Sequence, residues 1–486
     1  MGEILGHLKP SLIWEHFEEI TKYPRPSKKE EKIAAYVFSV GERNKLETFR
    51  DKFGNVIIRK PASRGFEKRK TIVLQGHLDM VCEKNSDVTH DFDNERIYPY
   101  IDNGWVKAKG TTLGADNGIG VAAALAVLES KDLQHGPIEC LFTLDEETGL
   151  TGAAGLNSKT LKADILLNLD SEEEGTVYIG CAGGATSVSK YYFTPDKVSK
   201  KYNSFIIKVS GLLGGHSGLE IHQGRGNAIK ILSRLLFTYH KEEKLRLCCI
   251  EGGNKHNAIP REASAVCLVP PDHANKLKKF VKKYNEMVKA ENSTVEPLLE
   301  VSIEKTDLPK FMIDKETQKS LLLALYGVPH GVTKMSPDIP GLTETSTNLA
   351  TISTEEKVVT VVTSQRSSVA SEIVDVVDMV HSVFNLSGAK TEITDGYPGW
   401  KPNVNSEILA VAKNTYKNLF NKEPEVKAIH AGLECGIISE KYPQMDMISF
   451  GPTMFGVHSP DEKMEIDSIP KFWEFLINIL KNVPQK

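Results

Sequence analysis

No apolar run in the 486-residue sequence approaches the ~20 residues a membrane-spanning helix needs. The opening, MGEILGHLKPSLIWEHF, has no basic start followed by an apolar core, so no signal peptide is expected. Gly6 stands where N-myristoylation wants Ser or Thr. The seven cysteines are odd in number, scattered and without a C-x-x-C pair. That excludes a disulfide framework and a cysteine zinc site, and it suits free thiols in a reducing cytoplasm. Net charge is only −4, so neither nucleic acid nor a membrane surface is expected as a partner. The most basic stretch, KLKKFVKKY (Lys276 to Tyr284), has the spacing of an amphipathic helix with a solvated face. The Gly-rich GLLGGHSG lacks the lysine of a phosphate-binding loop. DVTHDFDNE lacks the Gly and terminal Glu of a calcium loop. No tandem repeat is visible.

What is present is alternation. Residues 11–23 and 28–43 read as helices, the second capped by Ser27 with Glu30 three residues on. NVIIRK, TIVLQGHLDM, IECLFTL and ADILLNLD read as strands, and GIGVAAALAVLES as a helix. This predicts an α/β fold with a mixed, mostly parallel sheet flanked by helices and ligands collecting beyond the strand ends. After about residue 185 the texture shifts to antiparallel strands (SFIIKVSG, KLRLCCIEGG, ASAVCLVPP) with amphipathic helices between them. The α/β style returns near residue 400. At 486 residues the chain is too long for one ordinary core. A catalytic domain of residues 1–187 and 398–486, interrupted by an inserted α+β domain of 188–397, is the simplest organisation.

The apolar runs end in chemistry. GHLDMV contributes His77 and Asp79, GADNGIG contributes Asp116, LDEETG contributes Glu146 and Glu147, NLDSEEEG contributes Asp170, and GPTMFGVHSPDE contributes His458. Each alone reads as a surface or turn residue. Together, two histidines and three carboxylates suffice for two divalent metals if one carboxylate bridges them. Mixed imidazole and carboxylate suit zinc, manganese or cobalt better than calcium or magnesium. His77 and Asp79 share a strand face, so Asp79 can accept from the ring nitrogen that a metal leaves free. Adjacent strand residues face opposite ways, so Glu146 and Glu147 should divide the work between a metal ligand and a general base. Asp145 is expected to make a structural hydrogen bond.

These segments, with GLLGGHSG and HAGLECG, resemble the co-catalytic zinc metallopeptidases that include peptidase T, carnosinases and glutamate carboxypeptidases. The resemblance is strongest to the Xaa-His (aminoacyl-histidine) dipeptidase branch, also called peptidase D, and runs over nearly the whole chain. It implies that Asp116 bridges two metals, with His77 and Asp170 completing one and Glu147 and His458 the other. It implies Glu146 as general base and then acid, Asp79 as the group that orients His77, and a cis peptide after Asp116. The inserted domain becomes a lid and dimerisation domain. There His216 would stabilise the oxyanion, and Asn257 and Arg366 would hold a substrate carboxylate, to which the guanidinium fork is suited. His430 is a further substrate contact. The expected enzyme is a cytoplasmic, homodimeric dipeptidase using two divalent ions, zinc first. An N-acyl amino-acid deacylase with the same machinery and a non-catalytic metal-binding protein are the rivals. A dinuclear phosphoesterase is disfavoured, because its Asp-x-His and Asn-His signature is missing.

Overall fold

Strands with unbroken apolar sequence must be covered on both faces, and three here are. Ile72–His77, Ile138–Thr143 and Ile165–Asn168 are buried at every position in the computed structural model, which describes residues 4–242 and 244–486. Met1–Glu3, part of the stretch read against a signal peptide and myristoylation, lie outside the described residues. The three strands pair in parallel, and Asp446–Ser449 joins them as a fourth. Such burial is the ordinary state of parallel strands between helical layers. Antiparallel Val56–Lys60 and Glu47–Arg50 extend one side. Thr176–Cys181 and Glu425–Ile429 extend the other and complete a mixed eight-stranded sheet.

The helix Ala115–Glu129 is apolar on nearly every side and buried almost throughout, as a helix without a polar face must be. The amphipathic helices Ser11–Ile20, Glu31–Arg43, Glu407–Phe420 and Ser468–Asn482 each bury one stripe. The second of these begins at Glu31, later than its expected start, and Ser27 does not cap it. Because the central strands run the same way, their carboxyl ends share one edge. His77 lies opposite Thr143, and Gln75 opposite Asn168. The segments that follow those ends carry the candidate ligands.

The chain forms two compact units. The first comprises Met1–Cys181, Trp400–Ala428 and Leu433–Lys486; the second comprises Ala182–Gly399 and Ile429–Gly432. Sequence texture put the changes at 187/188 and 397/398. The second unit starts earlier because the strand Gly183–Tyr192 pairs along its whole length with Val358–Ser367. That unit holds a nine-stranded sheet whose described pairings are antiparallel. Helices including Ala228–Glu242 and Ala274–Asn292 contribute Leu232, Leu236, Leu277 and Val281 to its core. The KLKKFVKKY stretch lies in Ala274–Asn292, which buries Leu277, Val281 and Tyr284 and leaves its lysines outside. All seven cysteines are free. Among the described residues no helix is long and apolar enough to cross a membrane.

Candidate active site

His77 closes its strand with the ring fully buried. Its Nε2 lies 3.0 Å from Asp116 Oδ1 and 3.4 Å from Asp170 Oδ1. Its Nδ1 lies 3.3 Å from Asp79 Oδ1. Asp116 comes two residues after Gly114, whose φ of +71° favours glycine, and at the start of the long buried helix. The Asp116–Asn117 peptide is cis, as the resemblance implies. The other oxygen of Asp116 is 3.1 Å from His458 Nε2, which is itself 3.0 Å from Glu147 Oε2. Two donor trios result, His77/Asp116/Asp170 and Asp116/Glu147/His458, each within the span of one metal ion and sharing Asp116. His77 also forms a third close group with Glu146 and Glu147.

The DEETG segment departs from expectation. The strand stops at Thr143, and Glu146–Gly149 form one helical turn, so strand alternation does not separate the two glutamates. The reversal occurs at Asp145, whose φ is 54°. Asp145 is buried; its carboxylate accepts from the hydroxyls of Thr148 and Thr151, the latter at 2.7 Å, and its N–H donates to Glu30. It has the structural role expected of it. The turn is then pinned by Asp79, whose two oxygens accept from the N–H groups of Glu146 (3.0 Å) and Glu147 (3.1 Å). Ser27 donates to the same carboxylate at 2.8 Å, so it serves Asp79 rather than a helix. Burial would raise Asp79, but His77, Ser27 and the amide of Glu146 hold it near 2.

Carboxylates crowd this edge. Burial raises Glu146 well above the usual range; His77 opposes the shift, while Asp170, Glu434 and Glu147 add to it. Burial likewise raises Asp170. Burial would raise Asp116 too, but bonds from His458 and His77 hold it far below normal. His458 is pushed up to about 11 by its bonds to Asp116 and Glu147. Like charges packed this closely call for cations. Glu147 Oε1 is buried without a hydrogen-bond partner, which fits a ligand oxygen. Donor types, spacing and charge therefore fit two divalent ions.

The other candidates belong to the second unit. His216 Nδ1 accepts from the N–H groups of Gly218 (3.3 Å) and Leu219 (3.0 Å), which leaves Nε2 to carry the proton. Burial, then the charge of Arg366, lowers this imidazole to about 4, so the ring stays neutral. Arg366 is buried, donates to Tyr397 Oη at 2.9 Å, and keeps Nε without a partner. With Asn257, His256 and Tyr397 it lines a cavity of about 190 Å³. His430 is buried against Ser346 Oγ at 2.8 Å and is lowered by burial to about 3. Gly218 brings these together. A Cβ on it would lie 2.2 Å from His430 O, 3.1 Å from His216 Cε1 and 3.3 Å from Arg366 Nε. Sequence reading took Ser27 for a helix cap rather than a partner of Asp79, and it gave Gly218 and Tyr397 no role, since neither carries a local signal. It also passed over Glu462, an acid four residues after His458.

The family model described as Peptidase family M20/M25/M40 matches residues 73–482. The cytosol non-specific dipeptidase of Escherichia coli (strain K12) is 44% identical over 482 residues, 99% of each chain. The solved aminoacylhistidine dipeptidase from Vibrio alginolyticus superposes with a TM-score of 0.93 at 45% identity, covering 99% of this chain and 98% of that one. The aminopeptidase PepT of Bacillus cereus ATCC 10987 shares the fold, with a TM-score of 0.58 and 17% identity over 98% of this chain and 100% of its own.

Proposed function

The chain belongs to Peptidase family M20/M25/M40, and from that premise we propose that it is a dipeptidase, hydrolysing dipeptides with a free C-terminus. Xaa-His dipeptides such as β-Ala-His fall within a broad range. The observation that carries this reading is the sharing of Asp116 between two donor trios, with Glu146 beside them. His77 and Asp170 would hold one divalent ion and Glu147 and His458 the other; zinc is the first choice, manganese or cobalt the next. Bound there, the ions would polarise the scissile carbonyl and make water a nucleophile at neutral pH.

The remaining work falls to side chains. Glu146 takes the attacking water's proton and passes it to the departing amine. Asp79 holds His77 by Nδ1 and fixes the turn that presents Glu146. His216, with Nδ1 occupied by two amides, offers Nε2–H to the developing oxyanion. Arg366 has an unused buried Nε and binds the substrate carboxylate, with Asn257 lining the same cavity and His430 as a further substrate contact. A homodimer, with the second unit as lid, belongs to the same reading and is supported by the family resemblance. The cytoplasm is its compartment, supported by seven free cysteines and by the cytosol relative.

The test is an assay of chelated and metal-restored protein on β-Ala-His, Gly-His, Leu-Leu and acetylated amino acids. Dipeptides should be hydrolysed only after a divalent ion is returned. Hydrolysis of acetylated substrates alone overturns the dipeptidase in favour of a deacylase. Glu146→Gln should retain both ions and lose about 10²–10⁴-fold in kcat. Near-normal turnover by that variant removes Glu146 as the base.

A further inference from the structure

Glu462 is only 2% exposed, yet it belongs to the loop that carries the half-exposed His458. Its Oε2 accepts from the N–H groups of Leu113 (2.6 Å) and Gly114 (2.9 Å). Its Oε1 accepts from those of Ala115 (2.8 Å) and Asp116 (3.3 Å). These four consecutive amides lie at the entry to the helix Ala115–Glu129, where the first turn has no carbonyl of its own to bond. A carboxylate is favoured there by the helix dipole. Gly114 precedes the helix and has no side chain with which to cap it.

A local Ser or Asp would cap the helix equally well. What the distant Glu462 adds is a tie between two ligand-bearing loops. Within residues 456–462 the other bonds are internal: Ser459 Oγ to Gly456 O, and the N–H groups of Asp461 and Glu462 to Ser459. Among the described residues, only His458 and Glu462 make side-chain hydrogen bonds from this loop to elsewhere in the chain; both reach the Asp116 segment, and His458 meets Glu147 as well. His458 adopts a φ of 62°, so its direction depends on how the loop is held. The opposite edge of the Asp116 segment is held by Arg25, fully buried, which donates to Gly114 O through one nitrogen and to Leu78 O (3.0 Å) and Asp79 O (2.6 Å) through the other.

We propose that Glu462 is a positioning residue for the metal centre: it sets His458 against Asp116 and so governs the cation on the His458–Glu147 side, while Arg25 holds the same segment against the His77 strand. This rests on the two-cation reading above. Calorimetric zinc titration of the chelated full-length protein separates the two ideas. Failure of the unmutated protein to take two equivalents defeats the two-cation reading itself. Given two equivalents, Glu462→Gln should weaken one of them by about 10–100-fold and leave the other within threefold. In that variant the amide nitrogen faces two N–H donors. Two unchanged equivalents, or equal weakening of both, overturn the proposal, the second in favour of a role in the fold alone. If Glu462→Gln does not fold, Glu462→Asp, which keeps the charge but shortens the reach, must show the same selective weakening; a folded Asp variant with two unchanged equivalents overturns the proposal equally.

Discussion

Asp79 accepts hydrogen bonds from the amides of Glu146 and Glu147 and from Ser27 Oγ, and it faces His77 Nδ1. One carboxylate thus orients a candidate ligand and the turn bearing the candidate base. Asp79→Asn keeps the shape but turns two hydrogens toward donors. The expected loss is about 1–3 kcal/mol of stability from the unpaired buried groups, with turnover and metal affinity down about 10–100-fold. Urea unfolding and stopped-time assays on the same preparation measure both. A variant matching the parent in turnover and metal content removes Asp79 from the site. The pairing of His77 with Asp79 was legible in the sequence from their closeness, though not through a shared strand face, because the strand ends at His77 and Asp79 lies two residues past it. The bonds to Glu146, Glu147 and Ser27 were not, because those partners are 52 to 68 residues away.

Single elements decide how the two glutamates are presented. Their separation comes from a helical turn, 100° per residue rather than the 180° of a strand. That turn runs into the helix Thr151–Gly155, which packs against the backbone that ends the preceding strand. A Cβ at Gly152 would lie 2.5 Å from Leu144 N, Leu144 O and Asn55 Oδ1. The same Gly152 donates to Leu144 O at 3.0 Å and accepts from Asn55 Nδ2 at 2.9 Å. Gly152→Ala should push this element outward, costing about 1–3 kcal/mol and displacing Glu146 and Glu147 together. The check is thermal unfolding paired with zinc content after dialysis; unaltered values for both would show that the close approach is relieved elsewhere. Apolar strands are readable from composition because burial on both faces excludes polar residues. The reversal at Asp145 is not, since a left-handed Asp in DEETG is one option among several and is selected by Glu30 and two threonines.

At the scale of the whole molecule, buried histidines of the second unit make its stability depend on pH, three of them most strongly. Burial, as the largest cause, lowers His216 and His330 to about 4 and His430 to about 3. The contacts of His330 agree: Nδ1 faces the donors Asn227 Nδ2 and Leu349 N, both at 3.4 Å, and so must act as acceptor. An unfolded histidine titrates near 6.5. Above that pH neither state is charged. Between 6.5 and about 4 the unfolded chain takes up protons that the folded unit refuses, so stability falls as pH falls, by roughly 1 kcal/mol per pH unit for each group. Below about 3 these three histidines contribute no further change. Urea unfolding followed by far-ultraviolet dichroism between pH 7 and 4.5 should show this decline, and His330→Gln should make it shallower. An equal slope in that variant removes His330 from the account.

The sequence by itself determined the chemistry and the class of fold. Apolar runs capped by His, Asp and Glu dictate an α/β sheet with donors at its strand ends, because burial and ligand chemistry each constrain residue type locally. Tertiary structure alone decided how those donors are held. Asp116 meets His458 across 342 residues, and Glu462 reaches the amides of the Asp116 segment from as far away. The unit boundary at 181/182, the turn at Asp145 and the crowding around Gly218 have the same origin. Each depends on which distant backbone group lies within about 3 Å, and hydrogen-bond reach is a property of the folded chain, invisible to local pattern.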